Sequence, residues 1–167
     1  MDVQVLVSHI AASEDAIQVF LQLTDGVVEL EQLYDRLDDA FSAGESVALL
    51  SYCRGDPVAV QVATIWQRAK VLRDTVAGDT TVVVHCVDIG SEHDVDFDKV
   101  RCMRADLMSE PPFAFDCELI GAKADAGIVS VWCSTHSHLK IIGKSPITCN
   151  NNTSTALKLN MRILYIL

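Results

Sequence analysis

Two short apolar runs open the chain. Residues 3–10 (VQVLVSHI) and 16–23 (AIQVFLQL) are separated by Ala11-Ala12-Ser13-Glu14-Asp15, a turn composition. β-branched runs so divided predict a hairpin. The period then changes. Leu30, Leu33, Tyr34, Leu37 and Phe41 recur at steps of three and four, with Glu31, Asp35, Asp38 and Asp39 between them. Those steps gather the apolar residues on one side of a helix over 28–43, stopped by Gly44. The stripe is read as a core-packing face.

From Glu45 onward the pattern is that of strands. Residues 46–52, 65–74 (IWQRAKVLRD), 80–88 (TTVVVHCVD), 92–97 and 113–120 are the expected strands. Arg54-Gly55-Asp56-Pro57 signals a turn, and 54–64 is read as a loop. Ala77-Gly78-Asp79 and Ile89-Gly90-Ser91 are the next two turns, residues 98–103 are read as a helical turn, and Pro111-Pro112 breaks the chain before its last clear strand. No internal repeat is present.

Charge divides the chain. All 23 acidic residues and 9 of the 13 basic ones lie in residues 1–126, which leaves that part at net -14. Residues 127–167 contain Lys140, Lys144, Lys158, Arg162 and no acid, and are apolar and rich in Asn, Thr and Ser. A boundary is therefore set near Ala126. An acidic surface cannot replace counterions on phosphates, which argues against a nucleic-acid binder and suits a basic peptide. The cysteines at 53, 86, 102, 117, 133 and 149 form no CxxC pair. The start MDVQVLVSHI lacks a basic secretory n-region, and no apolar run reaches the length of a membrane helix. Reduced thiols in a cytoplasmic protein are the expectation, with Asn152-Thr153-Ser154 a chance sequon.

Candidate chemistry is sparse. There is no Gly-rich phosphate loop and no GxSxG. His85 and Cys86 are neighbours on a strand and point to opposite faces, so they make no nucleophile–base pair. Asp94, Asp96 and Asp98 alternate and would share a strand face as a solvated acidic edge, or as a rail for a guanidinium. A calcium loop would need Gly and Glu where Lys99 and Ala105 stand. Cys133, His136 and His138 lack a fourth ligand. No enzyme, no cofactor and no metal site are expected. Trp66 opens a strand as core or as one wall of a cation pocket.

The order of motifs is specific. Residues 66–71 (WQRAKV) resemble a WYRAxV strand, and 84–91 (VHCVDIGS) an xxFVDYGN strand and turn. Val95 with 100–103 resembles VxxxxLRxL, 111–121 (PPFAFDCELIG) resembles PPQAxxCxLxG, and 5–10 (VLVSHI) resembles VxVSHI. Together, over about residues 3–123, they resemble an extended Tudor domain. The resemblance implies a mainly β fold with one linker helix: a Tudor-type β-barrel embedded in a split staphylococcal-nuclease-like (OB) lobe, here incompletely closed. Its expected parts are an N-terminal hairpin (1–27), a linker helix (28–44), the Tudor barrel (45–104), a return strand (105–126) and a divergent, poorly ordered tail (127–167).

Members of this family are non-catalytic readers of arginine-rich tails, typically of PIWI proteins in the piRNA pathway of cytoplasmic and perinuclear germ granules. Symmetrically dimethylated arginine sits in an aromatic cage, between the lobes' facing surfaces. The resemblance places cage-equivalent positions at Cys86, Ile89 and Ser91, where the motif has Phe, Tyr and Asn. Trp66 keeps one ring, Tyr52 is a candidate second, and Asp88 and Gly90 retain the turn beside the acidic edge of Asp94 and Asp96. Each missing ring forfeits roughly 0.5–2 kcal/mol of cation–π attraction, so methylarginine recognition is expected to be weak or lost. Two other readings stand beside the peptide module: an architectural or self-associating domain without a ligand, and a weak nucleic-acid-binding OB-like lobe.

Overall fold

The computed structural model describes residues 5–13, 17–42, 51–119, 147–149 and 158–159. Along the chain run β1 (Val5–Ala12), β2 (Ile17–Leu23), α1 (Val27–Phe41), β3 (Pro57–Val62), β4 (Ile65–Val71), β5 (Thr81–Cys86), β6 (Glu92–Asp96), β7 (Val100–Cys102), β8 (Ala114–Leu119), β9 (Ile147–Cys149) and β10 (Lys158–Leu159). They divide into two units, residues 1–27 with 113–167, and residues 28–112.

The first unit is an antiparallel sheet in the order β1-β2-β8-β9-β10. Val19, Leu21 and Cys117 bury one face of it together with Val5. Strand alternation sets this, because residues two apart share a face. The β1–β2 register slips between Val7 and His9, and the Ser8 hydroxyl there donates to the Phe20 carbonyl (3.1 Å). In Cα register Cys117 faces Cys149 across β8 and β9. Cys117 is disulfide-bonded, which corrects the expectation of reduced thiols throughout. Such a bond joins residues that no local spacing marks. Cys53, Cys86 and Cys102 are free.

The second unit is a curled five-stranded half-barrel, ordered β6-β5-β4-β3-β7. Its core is Tyr52, Val58, Val60, Ala69, Val71, Val82, Val84, Cys86, Val95 and Val100. On α1, the residues buried are Leu30, Leu33, Leu37 and Phe41, the apolar stripe read from the sequence. Burying three leucines and a phenylalanine contributes roughly 1.5–3 kcal/mol each, which is what holds this acidic helix.

Two readings are corrected. Residues 57–62 (PVAVQV), taken as loop, form β3 and pair with both β4 and β7. The hairpin turn follows it at Ala63-Thr64, where Ala63 adopts φ 56° without the glycine that usually marks such a bend. Pro57 is the first residue of the strand, where a missing N–H is tolerated. The expected helical turn at 98–103 is a 3-10 turn over Phe97–Lys99 followed by β7. Val100 decides this: it is fully buried opposite Val60. Most of the strand expected at 46–52 lies outside the described residues, as do Gly44, Cys133, His136 and His138.

Candidate functional site

β4 has two faces of different character. Trp66 and Arg68 point outward, while Gln67, Ala69 and Val71 point into the barrel, by the register Gln61↔Trp66, Ala59↔Arg68, Val60↔Gln67 and Val58↔Ala69. Arg68 is 4 % exposed and Asp88 1 %. The pair is bidentate: Nε donates to Oδ2 of Asp88 (2.9 Å) and Nη2 to Oδ1 (2.6 Å). Nη1 donates to the carbonyls of Leu107 (3.2 Å) and Glu110 (2.8 Å), and Nη2 also to that of Pro111 (3.1 Å). The guanidinium has five N–H donors, and all five are used. A buried charge needs such pairing, so Arg68 fastens β4, the 87–90 turn and the 107–111 segment together. Asp88, expected to retain the turn, is the buried partner through which Arg68 holds it. Sequence reasoning passed over Arg68. Its signal was an arginine inside an apolar strand, where burial demands an acid.

Trp66 is also occupied. It is 5 % exposed, its ring lies 5.4 Å from that of Phe41 at 37°, and the Arg101 guanidinium sits 5.8 Å from its centroid. The cation over this ring belongs to the protein itself. Tyr52 is 2 % exposed, packs at 5.7 Å on Phe97, and its hydroxyl donates to the Val100 carbonyl (3.3 Å). The two rings expected as cage walls are therefore packed inside the unit, and Trp66 lies on the face opposite Cys86, because Cys86 shares the inner face with Ala69.

Cys86, Ile89 and Ser91 do come together on one turn. The Gly90 N–H donates to the Cys86 carbonyl (2.7 Å), and the Cys86 N–H to the Ser91 carbonyl (2.8 Å). Gly90 sits at φ 95°, a conformation that glycine adopts without steric cost. Ser91 Oγ is 2.9 Å from His93 Nε2. Burial pushes the Cys86 thiol up to about 11, with the Ser91 hydroxyl opposing the shift and the Asp88 carboxylate adding to it. A neutral thiol at physiological pH is no nucleophile. On the helix side, Tyr34 is pushed up to about 12 by burial first, then by Asp88 and Cys86, with Arg68 opposing.

The acidic edge is separate. Asp94 and Asp96 are exposed on β6, a sheet edge, and Asp96 pairs with Lys99 at 3.2 Å. Asp98 falls in the 3-10 turn, so the three acids do not share one strand face. Asp96 and Asp98 instead border a cavity of about 730 Å³ with Val76, Gly78, Asp79 and Phe97. That cavity lies by the 72–80 loop, at the opposite end of β4 and β5 from the 87–90 turn, and β4 alone is about 20 Å long. Among the described residues no group of His, Cys, Asp and Glu is placed to hold a metal ion, and no helix is long and apolar enough to cross a membrane.

The frame around this turn is a curled five-stranded half-barrel fastened by the internal Arg68–Asp88 pair. A family model described as Tudor domain matches residues 1–121. The chain belongs to the Tudor domain family, whose domains bind and do not catalyse. Among solved structures it is similar to the extended Tudor domain of Drosophila melanogaster Tudor-SN, at 22 % identity and TM-score 0.63, covering 93 % of this chain and 76 % of that one. It is similar to the human TDRD1 extended Tudor domain solved with a symmetrically dimethylated peptide, at 19 % identity and TM-score 0.66, covering 92 % and 83 %. The Drosophila melanogaster Papi extended Tudor domain, solved with a dimethylated Piwi N-terminal peptide, matches at 17 % identity and TM-score 0.66, covering 92 % and 80 %. These likenesses show the extended Tudor fold. No curated protein sequence matches the chain significantly.

Proposed function

We propose that this chain is a protein-interaction module that takes an arginine-bearing tail, of the kind PIWI proteins carry, without depending on arginine methylation. One observation carries this reading. The turn that resembles FVDYGN holds Cys86, Ile89 and Ser91, so it offers no ring, and Trp66 and Tyr52 are packed inside the unit. Methyl groups on a guanidinium gain from aromatic faces, and little at this turn rewards them. The net charge of -14 over residues 1–126 still gathers a basic tail. Support comes from the Papi extended Tudor domain, which was also solved with an unmethylated Piwi peptide. A place in a piRNA-type pathway, in the cytoplasm and at perinuclear germ granules, belongs to the same proposal.

Calorimetric titration with an Arg-Gly/Arg-Ala peptide, unmethylated and symmetrically dimethylated, tests it. Equal or tighter binding of the unmethylated form is expected. A clear preference for the dimethylated form would overturn the methyl-independent reading. Silence from both peptides, with a dimer in solution, would move the function to an architectural role.

A further inference from the structure

At the end of the half-barrel away from the 87–90 turn, the 72–80 loop and residues 96–98 border a cavity of about 730 Å³, all within the second unit. Thr75, Val76, Asp79, Asp96, Phe97 and Asp98 line it. The loop is tied in place. The Thr75 N–H donates to the Tyr52 carbonyl (2.9 Å), the Tyr52 N–H to the Thr75 hydroxyl (2.8 Å), and the Val76 N–H to Asp79 Oδ2 (3.0 Å). Across the cavity, the Phe97 N–H donates to the Thr80 carbonyl (3.3 Å). The site is therefore formed before anything enters it, which lowers the ordering cost of binding.

Its side chains are of two kinds. Val76 is 66 % exposed, the highest value for a large apolar residue among those described, and Phe97 is half-buried. Folding gains nothing from an apolar side chain left in water. Around them stand three carboxylates. That of Asp98 meets no cation among the described residues, and the fold uses only its backbone carbonyl, which accepts from Arg101. Asp96 meets Lys99 at 3.2 Å and Asp79 meets Arg73 at 3.5 Å, both in exposed pairs of the kind that contribute little. An incoming cation can take their place.

The spacing of the acids says which cation. Among the described residues no group of acids is close enough to hold a metal ion. A guanidinium is planar, weakly hydrated and donates along several edges, so it reaches carboxylates that stand apart and stacks on a ring, whereas an ammonium is a point charge. Its aliphatic stem covers apolar surface. The cavity also falls within the roughly 300–1,000 Å³ of ligand pockets, room for the side chain and the backbone that carries it. We propose that this cavity is a second docking site, for an arginine side chain of a basic partner segment, with the stem against Val76 and Phe97 and the guanidinium among Asp79, Asp96 and Asp98. It goes beyond the proposed function and does not depend on the 87–91 turn.

The test titrates the 15N-labelled full chain with the unmethylated Arg-Gly/Arg-Ala peptide, and with the same peptide carrying lysine for arginine, and follows the backbone amide signals. Shifts at residues 75–80 and 96–98 are expected, several-fold weaker for the lysine peptide. Asp98→Asn should weaken binding there about three- to fivefold, the size of one partly exposed ion pair, and Lys99→Gln, which frees Asp96, should strengthen it by a similar factor. Both positions are exposed, so unfolding temperatures should not change. Shifts confined to residues 86–91 overturn the proposal and leave the peptide reading of the turn intact. Shifts at the cavity with the turn silent uphold it and overturn the turn as the binding site. Unchanged affinity in both variants, or a lysine peptide that binds as tightly, overturns it.

Discussion

Arg68 and Gln67 are adjacent on β4 and almost equally buried, at 4 % and 7 % exposed, yet their polar groups meet opposite fates. Arg68, on the outer face, spends all five donors on Asp88 and three carbonyls. Gln67, on the inner face, leaves its oxygen unpartnered. Arg68 itself is a fastener with nothing left to offer a ligand, although the Trp66 Nε1–H on the same face is unpartnered. Gln67 keeps unspent hydrogen-bonding capacity. Strand alternation makes the separation possible, because one residue step changes the face. A Tudor unit can thus keep its frame while its reading surface changes.

Four experiments break or sharpen that contrast. The largest effect is expected from Asp88→Ala, which leaves the Arg68 guanidinium buried without its counter-charge. Loss of one partner of such a pair costs about 3–5 kcal/mol, read as a lower midpoint in urea. A midpoint shift below about 1 kcal/mol would show that the pair is not the fastener described. Alkaline pH acts next. The Cys86 thiol titrates near 9 when unfolded and about 11 when folded, so the folded state holds its proton longer. The stability this provides is complete below pH 9 and is lost as pH rises through 11, up to about 2 kcal/mol. Tyr34, raised from 10 to about 12, adds a later loss in the same direction. Comparing wild type with Cys86→Ala from pH 8 to 11 isolates the thiol, and a constant difference across that range would refute its shift.

At the 87–91 turn, Ile89→Tyr with Ser91→Asn restores two groups of the motif this turn resembles. The regained ring is worth roughly 0.5–2 kcal/mol, so the dimethylated peptide should gain affinity over the unmethylated one. No change in their ratio would mean that the turn does not line the site. The smallest effect is expected from Arg36→Ala. Its contact with Glu110 is short, at 2.6 Å, but the two side chains are 45 % and 35 % exposed. Exposed pairs contribute at most about 1 kcal/mol, and the urea midpoint should barely move.

Much of the frame was legible in the sequence. The stripe of Leu30, Leu33, Leu37 and Phe41 reports its own helix, since each residue is buried for the reason its spacing suggests. The Gly78 and Gly90 turns are marked by residues that tolerate φ near 100° and 95°. β3 was hidden because its hairpin turns on Ala63-Thr64, which carries no turn signature. The motif order also identified the family. The site was less legible. Trp66 and Tyr52 look like free rings in the chain, but Phe41, Arg101 and Phe97 occupy them. Their partners come from α1, β7 and the 97–99 turn, too far along the chain for any local pattern to announce.

By itself the sequence determined where α1, β1, β2, β4, β5, β6 and β8 run, which family they build, and that ring-forming residues are absent from the 87–91 turn. Those properties are local, carried by spacing and by residue type at a fixed step. Only the tertiary structure decided which polar groups are spent. Whether Arg68, Trp66 or Gln67 has a partner depends on what the fold brings against each face of β4, and hydrogen bonds and ring contacts exist only between groups already placed within a few ångströms.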